Sequence, residues 1–263
     1  MSITPKDTFD YAVKRADHFL SLYDILHNSR QRGGRSDWLN SFKVFMRWPR
    51  RETIIRIDGK DKNSLLILRE AHGIDRQHFT HNYISELLRS SIVCVISALD
   101  RYMHDVMVDK CWGLLSKPEA DIPKELKKLS IPILVTKKAL EKLKRNRSSR
   151  PGTIMKMEIQ KTLHYNFTFQ KKSDIDKGAK LLGIGDFWRK VSDEISNNQT
   201  PSQLQDELTR ITKRRNQIVH ESDLVLKTRA REITQRELSH VDACHAVNWM
   251  KDFVDALNKV FYQ

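Results

Sequence analysis

Residues 80–110 read THNYISELLRSSIVCVISALDRYMHDVMVDK, and this stretch decides the fold. Ile84, Leu88, Ser91, Val95, Leu99, Tyr102 and Val106 recur at steps of three and four, which makes one unbroken stripe on a long helix. Such a helix is the central member of a bundle, because its length gives several shorter helices a face to pack on. Asp100 and His104 stand one turn apart and off the stripe, so they share a polar face. That face is either solvated, with a weak intrahelical ion pair, or the second wall of a functional site.

Outward from this helix the pattern stays helical. Thr4 to His27 reads as a first helix, with Pro5 in its first turn and Phe9, Val13, Phe19, Leu20, Tyr23 and Leu26 as apolar positions. Leu181 to Ile195, with Phe187 and Trp188, reads as a short helix packed on the bundle. Thr200-Pro201 is a cap followed by proline at the first helical position, and it opens another helix. A last helix is expected from near Thr234, buried through Val247, Met250, Val254, Leu257 and Phe261. Around Trp38 to Trp48 a short helix is possible, and the alternating run Thr53 to Ile57, closed by Asp58-Gly59, reads as a strand-like piece. The expectation is an all-α bundle in one elaborated domain over 1–263, with inserted loop and short-strand segments near 33–62 and 116–152.

Lys and Arg number 47 against 33 Asp and Glu, a formal net charge of +14 over 263 residues. That balance favours an anionic partner, through long-range steering and counterion release. A basic run, Lys142, Lys144, Arg145, Arg147 and Arg150, ends the proline-punctuated stretch; it is a solvated face or an RNA-backbone groove. Cys94, Cys111 and Cys244 are odd in number and share no metal-ligand spacing, so reduced thiols in a cytoplasmic protein are expected. No apolar run reads as a membrane span, and no membrane partner is expected; nor is a secretory leader, since Asp7, Asp10 and Asp17 break the required order. No cofactor and no metal is expected. Gly183 and Gly185 lack the flanking strand and Lys-Ser/Thr of a phosphate loop, and His240 and His245 beside Cys244 fall on different helical faces.

The chemistry is concentrated in Arg215-Asn216-Gln217-Ile218-Val219-His220. Leu204, Leu208, Ile211, Arg215 and Ile218 form one helical stripe whose fourth member is a guanidinium where a Leu is expected. Such an Arg is either a structural ion pair or a cation facing a subunit interface. Arg offers a rigid fork suited to phosphate oxygens, and His titrates near neutrality. Together they suffice to cleave RNA, one removing the 2′-hydroxyl proton and the other stabilising charge on the phosphoryl oxygens. At ~100° per residue, Arg215 and His220 differ by roughly 140° around one helix. A cleft between two symmetry-related helices, taking Arg from one wall and His from the other, removes that difficulty. Asn216 and His220, one turn apart, share a face.

Arg214-Arg215-Asn216-Gln217-Ile218-Val219-His220-Glu221 resembles the Arg-polar-x3-His signature of HEPN ribonucleases. Leu88 to Val93, leading into Ser97 to Asp105, is similar to the long helix of the large HEPN branch associated with RNA repair and defence loci. The resemblance covers about 1–27 and 75–263. It implies a HEPN-like all-α bundle forming a two-fold homodimer that cuts RNA, tRNA being one candidate substrate, without metal, leaving 2′,3′-cyclic phosphate and 5′-hydroxyl ends. It further implies that Arg215 stabilises the phosphate, His220 is general base or acid, and Asn216 orients one of them. Asp100 and His104 would form the opposing wall, while Arg214, Lys142, Lys144, Arg145 and Arg147 would contact RNA. The resemblance points to a toxin or abortive-infection effector with an antitoxin or defence-complex partner. The alternative is a non-catalytic helical RNA-binding or scaffold subunit. A helix-turn-helix DNA binder is disfavoured, because no compact pair of short helices carries a basic recognition helix.

Overall fold

The computed structural model describes residues 3–27, 30–31, 35–59, 65–69, 76–145, 152–196, 198–225 and 233–262. In chain order the elements are α1 (Pro5–Leu26), β1 (Arg30–Gln31), α2 (Ser36–Phe45), β2 (Ile54–Asp58), β3 (Leu65–Arg69), α3 (His81–Leu115), α4 (Lys124–Lys127), α5 (Ile133–Arg145), α6 (Gly152–Asn166), α7 (Lys172–Leu181), α8 (Phe187–Glu194), α9 (Pro201–His220) and α10 (His240–Tyr262). The fold is all-α with one small sheet.

Helix α3 spans 35 residues, longer than the stripe requires, and it is buried on several sides at once. Leu88, Ile92, Val95, Ile96, Leu99, Tyr102, Met103, Val106 and Met107 are all inaccessible, because α1, α6, α9 and α10 pack around it. By length and composition alone α3 is apolar enough to cross a membrane, contrary to the sequence expectation that no run reads as a span; most of that stretch is buried against neighbouring helices. Helix α1 is started by a capping box, Asp7 N–H donating to Thr4 Oγ1 at 3.1 Å and Thr4 N–H to Asp7 Oδ2 at 2.9 Å, a device worth roughly 0.5–2 kcal/mol. It lays Phe9, Val13, Ala16, Leu20 and Tyr23 on the core. The indole of Trp249 on α10 stacks on Phe253, and its Nε1–H donates to Gln199 at 2.7 Å, so a large aromatic is buried with its polar atom satisfied.

Three expectations change. The span Leu181 to Ile195 holds the end of α7, a turn at Gly183 and α8, rather than one helix. The last helix starts at His240, because residues 233–237 run back beside 223–225 instead, with Val225 N–H donating to Thr234 O at 2.8 Å. The basic, proline-rich stretch carries α4 and α5, and α6 follows directly from Gly152.

The segment around 33–62 is better ordered in its pairing than its alternation foretells. Strand β2 pairs antiparallel with β1 (Arg30↔Asp58) and with β3 (Ile54↔Arg69, Asp58↔Leu65). Ile55 and Ile57 are buried yet stand outside the main core cluster, so the sheet's buried face is separate from the bundle's core.

Candidate active site

Helix α9 begins with a second capping box, Thr200 N–H donating to Gln203 Oε1 at 2.8 Å and Gln203 N–H to Thr200 Oγ1 at 3.3 Å. Leu204, Leu208 and Ile211 are buried against the bundle, and Ile218 packs on the same core from one turn below Arg215. The stripe therefore carries Arg215 to the edge of the core, half-buried. Its Nη1 donates to Asn216 Oδ1 at 3.0 Å, while its Nε is buried with no hydrogen-bond partner. Among the described residues no carboxylate pairs with Arg215, in contrast to Arg89 and Arg214. Among the described residues no hydrogen bond joins Asn216 to His220, so of the two expected partners it meets the arginine. His220, the last residue of α9, is exposed.

Beyond His220 the chain reverses through Ser222 and Asp223, with φ of 52° and 56°. Two consecutive left-handed residues with side chains are disfavoured and persist only where the surroundings hold them. Here the holding is done by the Asp223 carboxylate, which is buried between two guanidinium groups. Arg89 Nε, from α3, donates to Asp223 Oδ2 at 2.6 Å; Arg214 Nη2 donates to the same oxygen at 2.8 Å, and its Nη1 donates to Oδ1. Arg89 is further committed to Ser85 Oγ at 2.6 Å and to the Arg236 carbonyl at 2.9 Å. Arg214 also reaches the Glu237 carbonyl at 3.2 Å. Arg236 N–H donates to Asp223 O at 2.7 Å, and its side chain to Glu221 at 3.1 Å. The result is a knot that fixes the chain three residues after His220 to α3 and to residues 236–237.

This corrects the expected role of Arg214. Its terminal nitrogens are engaged by Asp223 and main-chain carbonyls, so the contact it makes in the structure is with the turn. The sequence reading missed Arg89 and Asp223 because neither lies within the motif, and their partners are 134 residues apart. The available signal was an Arg on the predicted central helix, which a buried position obliges to find a carboxylate.

Asp100 and His104 do not sit on a solvated face. His104 is buried, stacked on His164 of α6 with ring centroids 3.9 Å apart and edge-on to Phe169 at 4.8 Å. Its Nδ1 is unpartnered, and Asp100 Oδ1 lies 3.8 Å from its Nε2, beyond a hydrogen bond. Burial, then the nearby His164, pushes the His104 pKa down, against the weaker opposing pull of Asp100 and Asp105. Among the described residues neither Asp100 nor His104 bonds to Arg215, Asn216 or His220. The link is indirect: Thr212 Oγ1 on α9 donates to the Gln170 carbonyl at 2.8 Å, and Gln170 Nε2 donates to Asp100 Oδ2 at 3.3 Å.

Of the expected RNA contacts in the basic run, Lys142 and Lys144 lie on the exposed side of α5, Arg145 ends that helix, and Arg147 lies outside the described residues. Cys244 Sγ is 3.2 Å from His240 Nε2, and Asp24 approaches that same ring nitrogen at 3.1 Å. Both contacts fall on one atom, so no acid–His–thiol relay exists, and burial with two nearby carboxylates raises the thiol pKa.

A family model described as RiboL-PSP-HEPN matches residues 60–263. The match takes in β3 and α3 through α10 and leaves α1, β1, α2 and β2 outside, although α1 is packed along α3. No curated protein and no solved structure matches the chain.

Proposed function

The chain belongs to the RiboL-PSP-HEPN family, whose domains are generally ribonucleases acting on RNA, and from that premise we propose that it is a metal-independent endoribonuclease. One observation carries the reading: Arg215 is oriented by Asn216, has no carboxylate partner among the described residues, and precedes the exposed His220 by five positions. A cation held half-buried with no counter-charge among the described residues is suited to an anion that arrives from outside. In the proposed reaction His220 takes the 2′-hydroxyl proton and O2′ attacks the adjacent phosphorus. The P–O5′ bond then breaks, and the departing oxygen takes a proton, leaving a 2′,3′-cyclic phosphate and a 5′-hydroxyl. Arg215 binds the phosphoryl oxygens as their charge rises.

The two side chains lie roughly 140° apart around α9, so one copy cannot aim both at one phosphate. The proposal therefore includes a two-fold dimer, in which His220 of one protomer serves as base and the symmetry-related His220 as acid. The biological role we infer is that of a cytoplasmic toxin or anti-phage effector, restrained by an antitoxin or a defence-complex protein.

The test is incubation of purified protein with total RNA in EDTA, beside His220→Ala, with the ends mapped. Wild-type protein should leave cyclic-phosphate ends and resist chelation, and 2′-O-methyl substitution at the cut site should block it. Cleavage of the blocked substrate, or equal cleavage by His220→Ala, would sink the mechanism.

A further inference from the structure

Helices α2 and α7 end in the same way, and only one of them uses the expected residue. At the end of α7, Gly183 N–H donates to Lys180 O at 3.0 Å and Ile184 N–H to Ala179 O at 2.9 Å, with Gly183 at φ 71°. At the end of α2, Arg47 N–H donates to Val44 O at 3.1 Å and Trp48 N–H to Lys43 O at 2.8 Å, with Arg47 at φ 54°. Both are the glycine-favoured helix stop in which the residue after the cap turns left-handed. Glycine occupies that place in α7; in α2 an arginine does, against its own backbone preference.

The arginine is not alone. Arg47-Trp48-Pro49-Arg50-Arg51 places three arginines in five residues, all three exposed, and among the described residues none has a carboxylate partner. The contrast lies within the same small unit. Arg56 is bidentate to Asp58 at 2.7 and 3.0 Å, and Arg69 pairs with Glu52, so these two arginines of β2 and β3 are neutralised while the loop's are left to solvent. A helix C-terminus favours one nearby cation, but Lys43 already occupies the last turn of α2, and Arg50 and Arg51 lie beyond the reach of that dipole. Beside the arginines Phe45 is 81% exposed, an aromatic ring with no packing duty. Trp38, Phe42 and Trp48 pack on one another and under Arg56 and Arg69, although Trp38 stays 37% exposed.

We propose that the Arg47–Arg51 loop at the end of α2 is a docking surface for single-stranded RNA, gripping its phosphates with three arginines while Phe45 stacks on a base. The proposal rests on the reading of the protein as acting on RNA. It places a recruiting surface on residues outside the family match. Charge complementarity selects a polyanion, and the exposed ring selects a strand whose bases are unpaired.

The experiment uses the full chain carrying His220→Ala, so that labelled RNA survives, with binding read by fluorescence anisotropy across a salt series. Combining Arg47→Gly, Arg50→Ala and Arg51→Ala should weaken binding of single-stranded RNA at least about tenfold and lower the salt slope by about 2, near 0.7 for each lost phosphate contact. Arg47→Gly alone should weaken binding while keeping or raising the thermal midpoint, because glycine suits the left-handed turn. Phe45→Ala should cost affinity for single strands and not for duplex. Unchanged affinity and slope in the combined variant overturn the proposal. So does a loss of affinity seen only where the thermal midpoint also falls, or a loss of self-association with RNA binding intact. If wild-type protein cleaves RNA that the loop variants bind normally, the docking surface fails and the nuclease reading stands. If the variants lose RNA that wild-type protein binds without cleaving, the outcome is the reverse.

Discussion

Arg214 and Arg215 are adjacent in sequence and opposite in circumstance. Arg214 is tied to a buried carboxylate and to main-chain carbonyls, which commit its two terminal nitrogens to the turn. Arg215 spends one nitrogen on Asn216, leaves Nε without a partner, and meets no carboxylate among the described residues. Folding stability alone would arrange Arg214 as observed, since a buried charge costs several kcal/mol unless paired. It would not arrange Arg215 so. The difference separates a knot that builds the site from a face that is open to use.

Breaking the knot should give the largest stability effect. Asp223→Asn keeps the shape of the side chain and removes its charge, leaving Arg89 and Arg214 facing each other with only the exposed Glu86, 3.3 Å from Arg89 Nη1, as a counter-charge. Loss of one partner from a buried ion pair typically costs about 3–5 kcal/mol, which urea denaturation would read as a large fall in midpoint. A variant within ~1 kcal/mol of wild type would mean that the knot is not what holds the turn after His220.

Arg215→Lys probes the other member of the comparison. Lys retains the charge and loses the planar fork, so cleavage should fall about 10- to 100-fold while the urea midpoint stays near that of wild type. If Arg215→Lys and His220→Ala both cleave at wild-type rates, the motif is structural and the scaffold reading takes over.

The two arginines also show how far the sequence could be read. The stripe Leu204, Leu208, Ile211, Arg215, Ile218 is local, so the odd member announces itself, and the capped starts of α1 and α9 are equally local. The knot is not local. Arg89 looks like any surface residue on α3 until the turn at Ser222–Asp223 brings a carboxylate to it, and left-handed φ at Ser or Asp leaves no compositional trace. The same holds for His104, whose burial depends on α6 and Phe169, elements the proline-rich stretch concealed. Strands β1 and β3 escaped because β1 is two residues long and β3, LLILR, lacks alternation.

A smaller effect should follow from neutralising Lys142, Lys144, Arg145 and Arg147 together. RNA affinity should fall and its salt dependence flatten, with little change in the urea midpoint, because a run of like charges acts on the encounter with a polyanion and contributes little to the fold. The loop after α2 is the comparison: if the α5 cluster moves the salt slope and the Arg47–Arg51 loop does not, recruitment belongs to α5.

The least conspicuous expectation concerns His104, which is under-satisfied like Arg215 but enclosed like Asp223. Burial and the neighbouring His164 hold its pKa below the ordinary value of 6.5, so the unfolded chain binds a proton that the folded chain resists. The sign follows from that difference. The neutral ring's stability is complete above about pH 6.5 and is lost as pH falls from there toward the depressed folded value. The groups facing it are His164 from α6 and Asp100, Asp105 and Arg101 from α3, and the two acids soften the loss without reversing it. Urea midpoints between pH 7.5 and 5 should therefore decline toward acid, by much less than the cost of removing Asp223. His104→Phe preserves the stacking on His164 and Phe169 and cannot titrate, so it should flatten the decline. An equally steep decline in that variant would place the titrating group elsewhere, and His164→Phe would be the next test. A flat profile in wild type would mean that a proton enters the stack without cost, and His104 would then rejoin Arg215 as a group available to the reaction.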